Sequence, residues 1–177
     1  MANIYRFFAE KRPGFDIEAQ GLLSTLQNYL HIEGLTGLRI FNRYDVQGLE
    51  EENCEAAGRL IFSEPQCDNL YRENLPEIEG EHIIFAVEAL PGQYDQRADS
   101  AAQCIQLAAQ NQRPTVASAK VYVISGNVSD EDFLKIKKNL INPVESCETT
   151  LDTLTTLHTP FDVPADVAVL EGFLDLD

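Results

Sequence analysis

Ala19, Leu22, Leu23, Leu26 and Leu30 recur at the spacing of one helix face, and Asp16 stands in the N-cap position before them. Ala98, Ala101, Ala102, Ile105 and Ala109 repeat that stripe 79 positions later (19 to 98), with Asp95 as the matching cap. The second stripe carries less side-chain volume, which predicts a helix seated closer to its sheet. A Pro-Gly turn precedes each helix, Pro13-Gly14 and Pro91-Gly92.

The match extends to both sides. IYRFFAE from Ile4 and HIIFAVEA from His82 are rich in aromatic and β-branched residues and predict strands, as do LRIFNRYDV from Leu38 and AKVYVIS from Ala119. In this alignment Phe41 falls on Tyr122, and Gly48 and Gly126 follow at matching places. An acidic helix start comes next in each portion. Ser129 to Asp132 has the capping pattern, with Phe133, Ile136, Lys137 and Leu140 as an inner row, whereas Gly58 weakens the helix of LEEENCEAAGRL. LIFSEP from Leu60 aligns with LINPVE from Leu140 as closing strands, and Cys67 with Cys147.

The pattern therefore predicts an α+β protein of two tandem β-α-β-(α)-β copies forming an intrachain pseudo-dimer. A half-sheet with helices on one face leaves the other bare, so the two sheets are expected to pack together with helices outside. Residues 1–68 form the first copy, 69–80 a connection, 81–148 the second copy, and 149–177 an extended linker leading elsewhere.

Charge narrows the function. Against 13 Lys and Arg stand 29 Asp and Glu, a net charge of −16, which repels phosphate backbones and anionic lipid. Neither nucleic acid nor membrane is expected as a partner. The longest uncharged apolar run, IIFAV, is too short to span a bilayer, and the N-terminus lacks the features of a signal peptide, so a cytoplasmic location is expected. Cys54, Cys67, Cys104 and Cys147 are scattered, as are His31, His82 and His158, with no spacing that holds a metal.

Catalytic motifs are missing as well. The chain contains no P-loop, dinucleotide fingerprint or nucleophile elbow, and Ser100 has no paired His nearby in sequence. The Glu50–Glu52 run suits a solvated helix start. Asp95, Arg97, Asp99 and Gln103 crowd polar groups onto one helix start, which reads as a cap with exposed neighbours or as a contact surface. Arg43 in FNRYDV reads as a partner for a carboxylate of the other copy.

FFAEKRPGFDIEAQGLL, FNRYDV, FAVEALPGQYDQRADSAAQCIQL, SAKVYVISG and LINPVES together resemble the N-terminal region of large-form phosphoribosylformylglycinamidine synthase, a purine-biosynthesis ligase and amidotransferase. The resemblance runs from about Tyr5 to Phe173. In that family this region resembles two copies of the small S subunit of the multi-subunit enzyme. The whole enzyme makes formylglycinamidine ribonucleotide from formylglycinamide ribonucleotide, glutamine and ATP, with magnesium. Its nucleotide and metal sites and its glutaminase lie in other domains, so the resemblance implies no catalytic residue, metal ligand or cofactor in this chain. It implies a scaffold contacting the synthetase and glutaminase domains and helping ammonia pass between them. The expected contact residues are Arg12, Phe15, Arg43, Tyr94, Gln96, Arg97 and Gln103, since Arg and Tyr are enriched at interfaces. The alternative is a free-standing regulatory module that binds a small metabolite above the short side chains of Ala98, Ala101 and Ala102.

Overall fold

The computed structural model describes residues 3–109 and 113–157. Their order is β1 (Ile4–Lys11), α1 (Ile17–Asn28), β2 (Leu35–Gln47), α2 (Glu51–Ala57), a π-helical turn (Gly58–Phe62), β3 (Asp68–Arg72), β4 (His82–Ala89), α3 (Gln96–Ala109), β5 (Thr115–Gly126), α4 (Asp130–Leu140) and β6 (Ser146–Thr149). The fold is α+β, and the described residues form four α-helices and one six-stranded sheet in the order β3-β1-β2-β5-β4-β6. Every neighbouring pair is antiparallel.

All four helices cover one face. Side chains alternate along a strand, and the even-numbered residues Leu38, Ile40, Tyr44 and Val46 of β2 all enter the two core clusters beneath the helices. One cluster joins α1 and α4 through Ala19, Leu26 and Ile136, with Phe85 stacked on Tyr122 at 5.2 Å. The other joins α2, the π-helical turn and α3 through Cys54, Phe62 and Ile105, with Phe62 between Phe7 and Tyr44 at 4.8 and 4.7 Å. Each cluster thus takes a helix from each half of the chain, so neither half has a closed core alone.

The expectation of two sheets packed on each other is corrected. The halves join edge to edge, through β2 and β5, which pair from Leu35 opposite Gly126 to Gln47 opposite Thr115. Hydrogen bonds between central strands therefore do what face-to-face burial was expected to do. The opposite face of the sheet is covered otherwise: Phe8, Phe41, Ala86, Val121 and Val123 form a third cluster against Leu75 and Ile78 of the connection.

The strand alignment is corrected too. Phe41 lies in that third cluster and Tyr122 beneath the helices, on opposite faces of the sheet. A one-residue slip exchanges the faces of a strand. In space Tyr44 corresponds to Tyr122, each opposite a Phe of the neighbouring strand, Phe7 or Phe85. The same 78-residue step (12 to 90, 67 to 145) links Arg12 N–H donating to Cys67 O at 2.8 Å with Leu90 N–H donating to Glu145 O at 3.0 Å. Cys67 therefore matches Glu145, not Cys147.

Leu60 to Phe62 are helical, not strand, and Leu140 ends α4. The closing strands come later, as β3 and β6, and β3 runs into residues assigned by sequence to the connection. Of the expected linker, Thr149 ends β6 and residues 150–157 cross the face away from the helices. Residues 158–177 lie outside the described residues, as does His158.

Candidate functional site

The helix starts after the two Pro-Gly turns differ in what their aspartates hold. Asp95 Oδ1 accepts from Ala98 N–H at 2.9 Å and caps α3, while Asp95 Oδ2 accepts from Ser118 N–H at 3.1 Å and ties the helix to β5. Asp16 makes no cap bond. It accepts from Gly14 N–H and Gln20 Nε2, both at 2.9 Å, and these donors lower its pKa, Gln20 foremost.

Four of the expected contact residues gather at the start of α3. Tyr94 is 72% exposed and donates from its hydroxyl to Asp99 Oδ2 at 2.9 Å, where Gln103 Nε2 also donates at 2.7 Å. Arg113 pairs with the same carboxylate. These partners, Tyr94 first, lower the Asp99 pKa. Arg97 donates to the Tyr44 hydroxyl at 3.1 Å and lines, with Gln96, Ser100 and Cys104, a groove of 450 Å³ beside the π-helical turn. Arg12 and Phe15 are exposed but stand at the opposite end of the sheet, after β1, where Arg12 Nε donates to Asn69 at 3.1 Å. They do not join the α3 group.

Arg43 is elsewhere again: it is 1% exposed, on the sheet face away from the helices, and it reaches a carboxylate of the other half. Its Nε lies 3.0 Å from Asp45 Oδ2, and its Nη2 lies 3.8 Å from Glu88 on the other half. Ala119 stands between Arg43 and Glu88 in the register, and its small side chain leaves the crossing open. Asp45 also accepts from Arg6 Nε at 2.5 Å. The two guanidinium groups then hold the crossing segment by its main chain: Arg43 Nη1 donates to Thr150 O and Arg6 Nη1 to Leu151 O, each at 2.7 Å. Burial lowers the pKa of Arg43 against the opposing pull of Asp45. Arg6, Asp45 and Glu88 escaped the sequence reading because Arg6 and Asp45 meet only once the β1–β2 register is known.

A larger cleft, of 650 Å³, opens where β1 ends beside β2. It is lined by Ala19 and Leu23 of α1, by Thr36 to Ile40 of β2 and by Asn42. Arg39 is bound to Glu10 on its rim by two hydrogen bonds of 2.6 and 2.8 Å, which raise the Arg39 pKa. The side chains of Ala98, Ala101 and Ala102 are buried, so they seat α3 on its neighbours.

Among the described residues no group of three His, Cys, Asp or Glu is arranged to hold a metal. Cys54 is buried, and desolvation raises its pKa, as it does for Cys147. Both are the reverse of an activated thiolate. No described helix is long and apolar enough to cross a membrane. A scan against protein-family models finds no match to this chain, and a search of curated proteins finds none either.

Proposed function

We propose that the chain is a duplicated, S-subunit-like domain of a cytoplasmic large-form phosphoribosylformylglycinamidine synthase. In this reading it is a non-catalytic brace that helps the synthetase and glutaminase domains pass ammonia, and the ATP and magnesium of the reaction are bound by those other domains. The sequence resemblance suggests the family. The observation that carries the duplicated-brace reading is the 78-residue recurrence of turns, strand pairs and main-chain hydrogen bonds about the β2–β5 junction. A pseudo-dimer whose two cores each take a helix from both halves cannot hinge at its centre without opening both. Rigidity of that kind suits a part that keeps an ammonia path sealed between domains. The exposed group around Tyr94, Gln96, Arg97 and Gln103 is the proposed contact with those domains.

The test uses the product of the full reading frame that contains this chain. The expected result is formylglycinamidine ribonucleotide formed with glutamine and ATP, at about one glutamine hydrolysed per product; no such product overturns the reading. With Tyr94→Ala and Arg97→Ala combined, more glutamine is expected to be hydrolysed per product. Unchanged coupling removes the proposed contact and leaves the family reading standing. Micromolar binding of an amino acid or nucleotide to the chain alone, by calorimetry, would favour the metabolite-binding alternative.

A further inference from the structure

Arg97 is placed differently from most arginines of this chain. Arg6, Arg39, Arg43, Arg59, Arg72 and Arg113 each pair with a carboxylate, whereas Arg97 has no carboxylate partner among the described residues. Its Nη1 donates instead to the Tyr44 hydroxyl, a neutral group in the wall of the 450 Å³ groove. The other N–H groups of its guanidinium have no partner among the described residues.

Tyr44 completes the observation. It is 5% exposed, and because its oxygen accepts from Arg97, its own hydrogen points elsewhere. No described group accepts that hydrogen. A buried hydroxyl that only accepts is incompletely satisfied. Since Tyr44 lines the groove, the acceptor it lacks comes from whatever occupies that space.

The rest of the lining has the same bias. Gln96 and Ser100 bring an amide and a hydroxyl with no partner among the described residues, while Ile61 and Ala101 supply apolar wall. No Asp or Glu lines the groove, in a chain that has 29 of them. The nearby carboxylates are engaged elsewhere, Asp95 by Ala98 and Ser118, and Asp99 by Tyr94, Gln103 and Arg113. The larger cleft differs, for Glu10, Asp16 and Glu18 all line it. Packing does not call for these donors either. The residues 79 positions before Gln96, Arg97 and Ser100 are Ile17, Glu18 and Gly21, and Glu18 pairs with Lys120. The donor set belongs to one half of the duplication only.

We propose that this groove binds a small organic oxyanion, a phosphate monoester or a carboxylate. Its charged head sits among Arg97, Tyr44 and Ser100, and a compact apolar body lies against Ile61 and Ala101. The planar fork of a guanidinium suits either head, and the volume is that of a small-ligand site. Every group involved belongs to this chain, so the inference does not rest on the proposed enzyme family.

The test titrates phenyl phosphate, benzoate and inorganic phosphate into the whole chain at fixed ionic strength and follows amide chemical shifts. Saturating shifts are expected at residues 96–101 and at Ile61, with a dissociation constant of about 1 mM for the better aromatic anion. Whether that anion is phenyl phosphate or benzoate identifies the head group, and either supports the site. Inorganic phosphate, which lacks an apolar body, is expected to bind more weakly than phenyl phosphate. Arg97→Gln is expected to weaken binding by about tenfold. Tyr44→Phe keeps the ring and deletes the hydroxyl, and a loss of about threefold is expected. Overturning results are no saturation with any of the three anions, shifts spread over lysines elsewhere, inorganic phosphate binding as tightly as phenyl phosphate, or binding unchanged in either variant.

Discussion

Arg43 and Thr150 are 107 residues apart in sequence, and Arg43 Nη1 donates to the Thr150 carbonyl at 2.7 Å. A guanidinium that is 1% exposed needs such partners, because desolvating a charge is costly. The segment crossing the face away from the helices is thus part of the fold. Its main chain accepts a hydrogen bond from each arginine of a buried Arg6–Asp45–Arg43 array.

Arg43→Met keeps much of the volume and removes the charge. Asp45 is then left with Arg6 alone, and Thr150 O loses its donor. Breaking a buried pair of this kind costs about 3 kcal/mol. The expected result is a lower urea midpoint together with faster proteolysis within residues 150–157. An unchanged cleavage rate there would mean that the segment is held by something other than these arginines.

Asp95 and Asp16 occupy matching sequence positions and do different work. Asp95→Ala removes the α3 cap and the tie to Ser118, for a cost of about 2 kcal/mol. Asp16→Ala removes bonds only to Gly14 and Gln20, and a change below about 0.5 kcal/mol is expected. Chemical denaturation of the two variants checks the ranking. Equal losses would contradict the difference in what the two aspartates hold.

Much of this architecture was legible in the chain. The helix stripes, the Pro-Gly turns, the Ser129 cap and the acidic start of α4 all depend on neighbours within a few residues, and each formed where the pattern put it. Register was not legible. Phe41 and Tyr122 align well as letters, yet a strand has a period of two, and only the pairing with β1 and β4 decides which face each residue takes. LIFSEP looked like a strand by its apolar start, but Leu60 to Phe62 finish a helix packed on Phe7 and Tyr44. Arg43 reads from sequence as a partner for a carboxylate of the other half, and Glu88 is that carboxylate, but its burial was not legible, because the segment that covers it comes from 107 residues away.

Gly126 tests the junction of the two halves. Its φ is +114°, and an added Cβ would stand 2.0 Å from the Gly34 carbonyl oxygen. Backbone cannot give way as a side-chain tip can, so Gly126→Ala is expected to cost more than about 3 kcal/mol or to prevent folding. Gly48 has a φ of +90° but nothing nearer than 3.8 Å to such a Cβ. Gly48→Ala should therefore cost only the backbone strain, about 1–2 kcal/mol. Thermal melts of the pair separate close approach from strain, and equal melting temperatures would refute it.

Tyr122 sets an alkaline limit. It is 6% exposed and stacked on Phe85, and burial, then the charge of Glu18, pushes its pKa up to about 12. In the unfolded chain a tyrosine titrates near pH 10. Below that value the ring is neutral in both states and its contribution is complete. Between about pH 10 and 12 the unfolded chain releases the proton while the folded chain keeps it, so stability falls as pH rises, by about 2–3 kcal/mol in all. Tyr71 and Tyr94 are also raised, but they are present in both proteins when Tyr122→Phe is compared with the parent. The expected result is that the parent's urea midpoint drops between about pH 9 and pH 11.5 by more than that of Tyr122→Phe. Parallel declines in the two proteins would show that Tyr122 ionises as easily folded as unfolded, and hence that water reaches its hydroxyl beneath α1 and α4.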